Sequence, residues 1–197
     1  MLYNIIMKRI VLASNNAGKI REISEMLDGY EIVCPRDMGI DFSVEETGST
    51  FYENAFIKAK ALYEICSLPT IADDSGLCVD SLGGAPGVYS ARYSGGGDKE
   101  NNKKLLSELQ GVKDRKAHFS SCIVYYDGKN IIEGTGHTYG KIGFSEDGDC
   151  GFGYDPLFIS DDLHKSFGVA TAEEKNSVSH RFRALKALKE KLAAFFE

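Results

Sequence analysis

Arg9-Ile10-Val11-Leu12-Ala13-Ser14-Asn15-Asn16-Ala17-Gly18-Lys19-Ile20-Arg21-Glu22 is the stretch that decides the fold. Arg9 to Ala13 is a short apolar run, which reads as a buried strand. Ser14 to Lys19 is a polar, glycine-containing turn, and Ile20, Ile23, Met26 and Leu27 follow at helical spacing, with Gly29 as a stop. Strand, turn and helix in that order make a phosphate cradle, because the turn amides and the helix N-terminus face the same anion. Lys19 invites comparison with a P-loop, but position 13 is Ala and position 20 is Ile, so the metal-binding hydroxyl of a Walker motif is missing. Taken alone, Lys19 reads equally as a surface charge.

The same alternation continues outward. Thr50 to Leu68 predicts a helix opened by a Thr50-x-x-Glu53 capping box. Pro69 to Asp73 predicts a second short strand ending in acids. Gly83 to Gly97 is loop-rich, with room for a helical turn at Val88 to Tyr93, and Asp98 to Gln110 reads as a solvated helix. Lys116 to Tyr126 and Asn130 to Tyr139 flank Asp127-Gly128, a hairpin signal because both residues tolerate positive φ. From Thr171 the chain returns to helix, with Leu185, Leu188, Leu192, Phe195 and Phe196 as its apolar stripe. The pattern is α/β.

Composition narrows the class. A chain of 197 residues, 43% apolar and 26% charged, is long enough for one sizeable core. No apolar run reaches the roughly 20 residues of a membrane span, and the start of the chain carries no convincing signal peptide. The five cysteines are scattered without a CxxC pair, which predicts free thiols in a reducing cytoplasm and disfavours a zinc site. A net charge of −6 argues against binding a nucleic-acid polymer, though a single triphosphate needs only a local cationic pocket.

Two acidic pairs carry the chemistry. Glu45-Glu46 precede a glycine and a helix, and on a solvated loop they could serve solubility alone. Asp73-Asp74 lie between Ile71-Ala72 and Ser75-Gly76-Leu77, a buried setting in which two acids repel unless a cation compensates. Magnesium, a hard ion preferring oxygen ligands, is the natural candidate. The four histidines show no HxH or HExxH spacing, and no GxSxG elbow surrounds Ser75, so a histidine-built metal site and a serine hydrolase are both disfavoured.

Six blocks in order resemble one known family. They are Ser14 to Glu22; Glu45-Glu46-Thr47-Gly48 with Phe51 and Glu53-Asn54-Ala55; Ile71 to Leu77; Gly83 to Tyr93; Gly151-Phe152-Gly153-Tyr154-Asp155-Pro156; and Ser179-His180-Arg181. Together they resemble the inosine triphosphate pyrophosphatase family, also called XTP/dITP diphosphatases, from about Lys8 to Leu188. The resemblance implies an elongated mixed β-sheet with flanking helices, forming two lobes around a nucleotide cleft. Residues 1–7 would be an N-terminal extension and residues 8–197 a single two-lobed domain, assembled as a homodimer. The implied reaction is magnesium-dependent hydrolysis of noncanonical purine nucleoside triphosphates (ITP, dITP, XTP) to monophosphate and pyrophosphate, which cleanses the nucleotide pool.

Carried over by position, Ser14, Asn15, Asn16, Ala17, Gly18 and Lys19 match the triphosphate-binding loop. Glu45 and Asp74 match the magnesium ligands, and Asp74 also the proton acceptor. Ser75, Phe152, Gly153, Tyr154, Asp155, Lys175, His180 and Arg181 match substrate-contacting positions. Phe152 would stack on the purine unless it is a core aromatic, and His180-Arg181 would meet the base edge, where an Arg donor suits the O6 acceptor of hypoxanthine. Two rival readings stand beside this one. A Maf-type pyrophosphatase would need a Ser-x-Ser-Pro-Arg-Arg-like opening, which Ser14-Asn15-Asn16 does not provide. A sensing module that binds without hydrolysis would not need Glu45 and Asp74.

Overall fold

The computed structural model describes residues 8–27 and 29–196, so the proposed extension over residues 1–7 lies outside the described residues. Six strands form one mixed sheet: β1 (Lys8–Leu12), β2 (Tyr30–Val33), β3 (Thr70–Val79), β4 (Lys116–Tyr126), β5 (Ile131–Ile142) and β6 (Phe158–Ser160). Their order is β2-β1-β3-β4-β5-β6, parallel from β2 to β3 and antiparallel from β3 to β6. Among the described residues five α-helices flank it: α1 (Ala17–Met26), α2 (Phe51–Cys66), α3 (Asp98–Glu108), α4 (Ala172–Val178) and α5 (His180–Phe196).

Local chemistry sets the helix starts. The Asn16 side chain accepts from the Lys19 amide at 3.0 Å, so α1 begins at Ala17 and the predicted turn residues Ala17 to Lys19 form its first turn. Thr50 and Glu53 make the expected reciprocal cap on α2. The helical tail is broken in two at Ser179, whose extended backbone separates α4 from α5. α3 is less solvated than its composition suggests, since Leu105, Asn101 and Asn102 are buried.

β3 corrects the sequence reading most. It does not end in the acids but runs on to Val79, paired residue for residue with β4 from Thr70↔Tyr126 to Val79↔Ala117. Strand alternation then sends Ile71, Asp73, Ser75 and Leu77 to one face and Ala72, Asp74 and Gly76 to the other. On the first face Ile71 and Ile123 pack with Ile23, Leu185, Leu188 and Leu192 of α1 and α5. On the second, Ala72 and Val124 pack under Ala55, Ala59 and Leu62 of α2. Beyond the acids, Leu77 and Val79 join Phe119, Phe158, Phe167 and Leu105 in a third cluster. Of the predicted stripe on α5, Leu185, Leu188 and Leu192 are buried, whereas Phe195 and Phe196 stay exposed.

α5 lies unusually close to β5. A Cβ on Gly134 would strike Ala184 O and Leu188 N, and one on Gly136 would strike His180 O and Ala184 N, so only glycine permits this approach. All five cysteines are free thiols. Among the described residues no helix is long and apolar enough to cross a membrane.

Candidate active site

A cavity of about 340 Å³ opens where the β1–α1 turn, the middle of β3, the Phe152–Asp155 loop and the start of α5 converge. Ser14, Asn15, Asn16 and Lys19 line it, with Asp73, Asp74 and Ser75, with Phe152 to Asp155, and with Lys175, His180 and Arg181. Sequence positions more than 160 apart thus share one wall, as the carried-over residues require. Ala17 and Gly18 stand behind the wall. Gly18 has a steric task, since a Cβ there would come within 2.8 Å of the Phe152 ring.

On one face of β3 an alternating chain of charges runs through the wall. Lys19 Nζ lies 2.8 Å from Asp73 Oδ2, and Arg181 Nη2 lies 3.3 Å from the same oxygen. Ser121 donates to Asp73 Oδ1 at 2.5 Å. Arg181 Nη1 pairs with Glu22, whose other oxygen accepts from Lys175 Nζ at 2.9 Å. Lys175 in turn donates to Asp155 Oδ2 at 2.7 Å, and that oxygen also accepts the Phe152 amide at 2.8 Å. Burial alone would raise the Asp73 pKa, but the charges of Arg181 and Lys19 outweigh it and hold the carboxyl well below the usual range. Glu22 is lowered in the same way, with burial opposed by Arg181 and Lys175.

Asp74, on the opposite face, meets a thinner set of partners. Lys58 Nζ stands 3.2 Å from its Oδ1 and Asn54 Nδ2 donates to its Oδ2 at 3.3 Å. Here burial wins over Lys58, and the Asp74 pKa is raised. Lys58 also reaches Glu46 at 2.6 Å and the Asp73 carbonyl at 2.9 Å, and Arg92 reaches Glu46 at 3.4 Å. Glu46 therefore faces the cavity but is committed to cations. Glu45, between the lining residues Val44 and Glu46, is exposed and has no ion-pair or hydrogen-bond partner among the described residues.

His180 is buried and stacks on Phe119 at 4.8 Å and 14°. Burial first, then the neighbouring Arg181 and Lys175 charges, push its pKa well below the ordinary value, so the ring is neutral. Three of the five Arg181 guanidinium N–H groups go to Glu22, Asp73 and Ser75, the last at 2.9 Å, while its buried Nε has no hydrogen-bond partner. Phe152 packs against the Lys175 ammonium, 4.7 Å from its ring centroid, rather than into a core cluster.

Among the described residues no three His, Cys, Asp or Glu side chains cluster tightly enough to enclose a metal ion. A two-carboxylate site is a different case, because magnesium commonly takes one or two protein carboxylates and fills its remaining positions with water and phosphate oxygens. Asp74 in the cavity wall and the uncommitted Glu45, next to the lining residues Val44 and Glu46, are hard oxygen donors of the type such an ion takes.

Sequence reasoning passed over Lys58, Asn54 and Glu22 as site residues. Asn54 and Lys58 are four apart on α2, which puts them on one helix face, and the second quoted block stopped just short of Lys58. Glu22 sat inside the first block without a role; nothing local announces that its partners are Lys175 and Arg181.

The model of the Ham1 family matches residues 10–191. A dITP/XTP pyrophosphatase of Treponema denticola is 51% identical over 186 residues, covering 90% of this chain and 94% of that one. Another of that name from Bacillus subtilis is 44% identical, covering 96% and 100%. The Staphylococcus aureus Ham1 protein superposes with a TM-score of 0.86 at 40% identity, over 95% of this chain and 99% of that one. A dITP/XTP pyrophosphatase structure from Mycobacterium abscessus gives 0.75 at 39% identity, over 91% and 98%. With this sheet, this cavity and a match spanning nearly the whole sequence, the chain belongs to the Ham1 family.

Proposed function

We propose that the chain hydrolyses noncanonical purine nucleoside triphosphates, with ITP, dITP and XTP as substrates, to the monophosphate and pyrophosphate. One observation carries the reading: a single cavity joins the Ser14–Lys19 turn, the Asp74 carboxylate and the His180-Arg181 pair. The relatives named dITP/XTP pyrophosphatases support the substrate class.

In this reading the triphosphate lies along the β1–α1 turn, with Ser14, Asn15, Asn16 and the first amides of α1 (Ala17, Gly18) as donors and Lys19 as the cation. Water attacks the α-phosphorus, the bond to the β-phosphate oxygen breaks, and pyrophosphate leaves with the electron pair. Asp74 accepts the water's proton. Lys58 and Asn54 hold its carboxylate in place. Lys19 and Lys58 stabilise charge developing on the phosphates. A divalent cation held by Asp74 and Glu45, magnesium by the hardness of these donors, would neutralise phosphate charge and acidify water in the cavity. Phe152 to Asp155 and Lys175 form the base-side wall with Ser75, His180 and Arg181. With both Nη2 hydrogens and one Nη1 hydrogen of Arg181 engaged, any bond it makes to purine O6 uses the other Nη1 hydrogen or the unpartnered Nε.

Residues 8–197 act in this proposal as one domain with two lobes, which the strands β3 and β4 span without interruption. We place the enzyme in the cytoplasm, consistent with five free thiols, and as a symmetric homodimer, for which light scattering at micromolar concentration should report twice the chain mass. The deciding experiment is pyrophosphate release from a panel of ITP, dITP, XTP, ATP and GTP, with magnesium and with EDTA. Release confined to the noncanonical purines and abolished by EDTA is expected. Orthophosphate as product, or full turnover in the chelator, would overturn the reading.

A further inference from the structure

The loop carrying Phe152 is poor at holding its own shape. Gly151 and Gly153 flank the ring at φ +78° and +62°, and glycine loses more freedom on ordering than any other residue. Asp155 accepts the Phe152 amide, and the loop's ends are pinned where Gly168 donates to Asp155 O and accepts from Cys150 N. The hydrogen bonds to Gly153 itself come from α3, and Tyr154 is tied to the turn before it. Asp98 Oδ2 accepts the Gly153 amide at 2.8 Å, and Asn102 Nδ2 donates to the Gly153 carbonyl at 3.3 Å. Tyr154 Oη donates to Ser90 O at 2.9 Å, and Ser90 O also accepts from Asn101. One peptide unit on each side of Gly153 is therefore gripped from the same helix.

We propose that Asp98 and Asn102 are positioning residues: α3 clamps Gly153 and so fixes the Phe152 ring as the base-side wall of the cavity. α3 suits the task. Leu105 anchors it in the third core cluster, and Asp98 in its first turn is held by the helix dipole while remaining at the solvent-exposed rim of the cavity. The side chain can thus be changed without opening the core. Among the described residues no hydrogen bond or ion pair joins α3 to the Ser14–Lys19 turn, so the clamp acts on the base side and leaves the phosphate side alone. This rests on the proposed reading of the cavity.

The test compares wild type, Asp98→Ala and Asp98→Asn. Asparagine keeps an oxygen able to accept the Gly153 amide and serves as the rescue. Steady-state kinetics with ITP give KM and kcat, inorganic tripolyphosphate as competitor probes the phosphate side, and amide hydrogen exchange at residues 152–154 reports the clamp directly. Asp98→Ala should speed exchange and raise KM for ITP about tenfold, as loss of one charge-assisted hydrogen bond predicts, with a far smaller change in kcat. The tripolyphosphate inhibition constant should stay within twofold, and Asp98→Asn should return KM most of the way. An unchanged KM, or a tripolyphosphate constant rising in step with KM, would overturn the clamp. Failure of the functional reading looks different: wild type would release no pyrophosphate from ITP, while exchange at Gly153 would still respond to Asp98→Ala.

Discussion

Asp73 and Asp74 are identical side chains one peptide apart, and the pleat of β3 gives them opposite fates. The α1/α5 face surrounds Asp73 with Arg181, Lys19 and the Ser121 hydroxyl, and its proton is held off well below the usual range. The α2 face gives Asp74 one ammonium and one amide, and burial raises its pKa. A saturated carboxylate is an anchor. An undersupplied one still has affinity for a proton or a cation, which is what a base beside a metal requires. Adjacent acids in a strand can therefore line one cavity and still differ in partners and in proton affinity.

The largest expected effect breaks the active half. Asp74→Asn is nearly isosteric but loses the charge and the basic lone pair, so turnover should fall on the order of 10²- to 10⁴-fold with an unchanged circular dichroism spectrum. Near-normal kcat in that variant would move the role to another carboxylate. Asp73→Ala should injure stability instead, because it leaves buried Arg181 and Lys19 without their shared counterion. Breaking such a pair costs about 3–5 kcal/mol, read from the urea midpoint without nucleotide; a midpoint that did not move would erase the contrast.

Smaller effects separate the two cations that Asp73 holds. Lys19→Ala should slow ITP and ATP alike. Arg181→Ala should lower the ITP-over-ATP ratio of kcat/KM by about 10- to 150-fold, the worth of a charged hydrogen bond. A constant ratio in Arg181→Ala would make that residue purely an anchor, like Asp73. The smallest effect is a pH slope. Folded His180 stays neutral, whereas the unfolded chain carries a histidine of ordinary pKa near 6.5. Below that value the unfolded state takes up a proton that the folded state refuses, so stability falls as pH falls. Stability curves of wild type and His180→Phe should diverge by about 1.4 kcal/mol per pH unit below ~6.5; parallel curves would mean that His180 is protonated in the fold.

Much of this was legible because its signals are local. The Thr50–Glu53 cap, the Asp127-Gly128 turn and the strand-turn-helix at Arg9 to Glu22 each need only neighbours in sequence, and each is present. The second half of β3 was hidden because two acids followed by Ser75-Gly76 break the apolar run that marks a strand. It is a strand because β4 pairs with it, and because Gly76 leaves room for the Gly87 carbonyl and the Ser90 hydroxyl. Lys58 carries no local signal of a site, since its partners Glu46 and Asp74 lie 12 and 16 positions away. Glu22 was illegible for the same reason, its charge being answered by residues 153 and 159 positions away.

The flush seating of α5 on Gly134 and Gly136 has a mechanical consequence. Those glycines touch the carbonyl of His180 and the backbone of Ala184, so strand β5 acts as the bed on which the first turns of α5 rest. The depth to which His180 and Arg181 enter the cavity is thus gauged from outside it, by the thickness of a strand with no side chain at two points. One methyl group at either position would lift that end of the helix like a shim under a beam. Its effect would surface as altered nucleotide selectivity, at a place no inventory of cavity-lining residues would name.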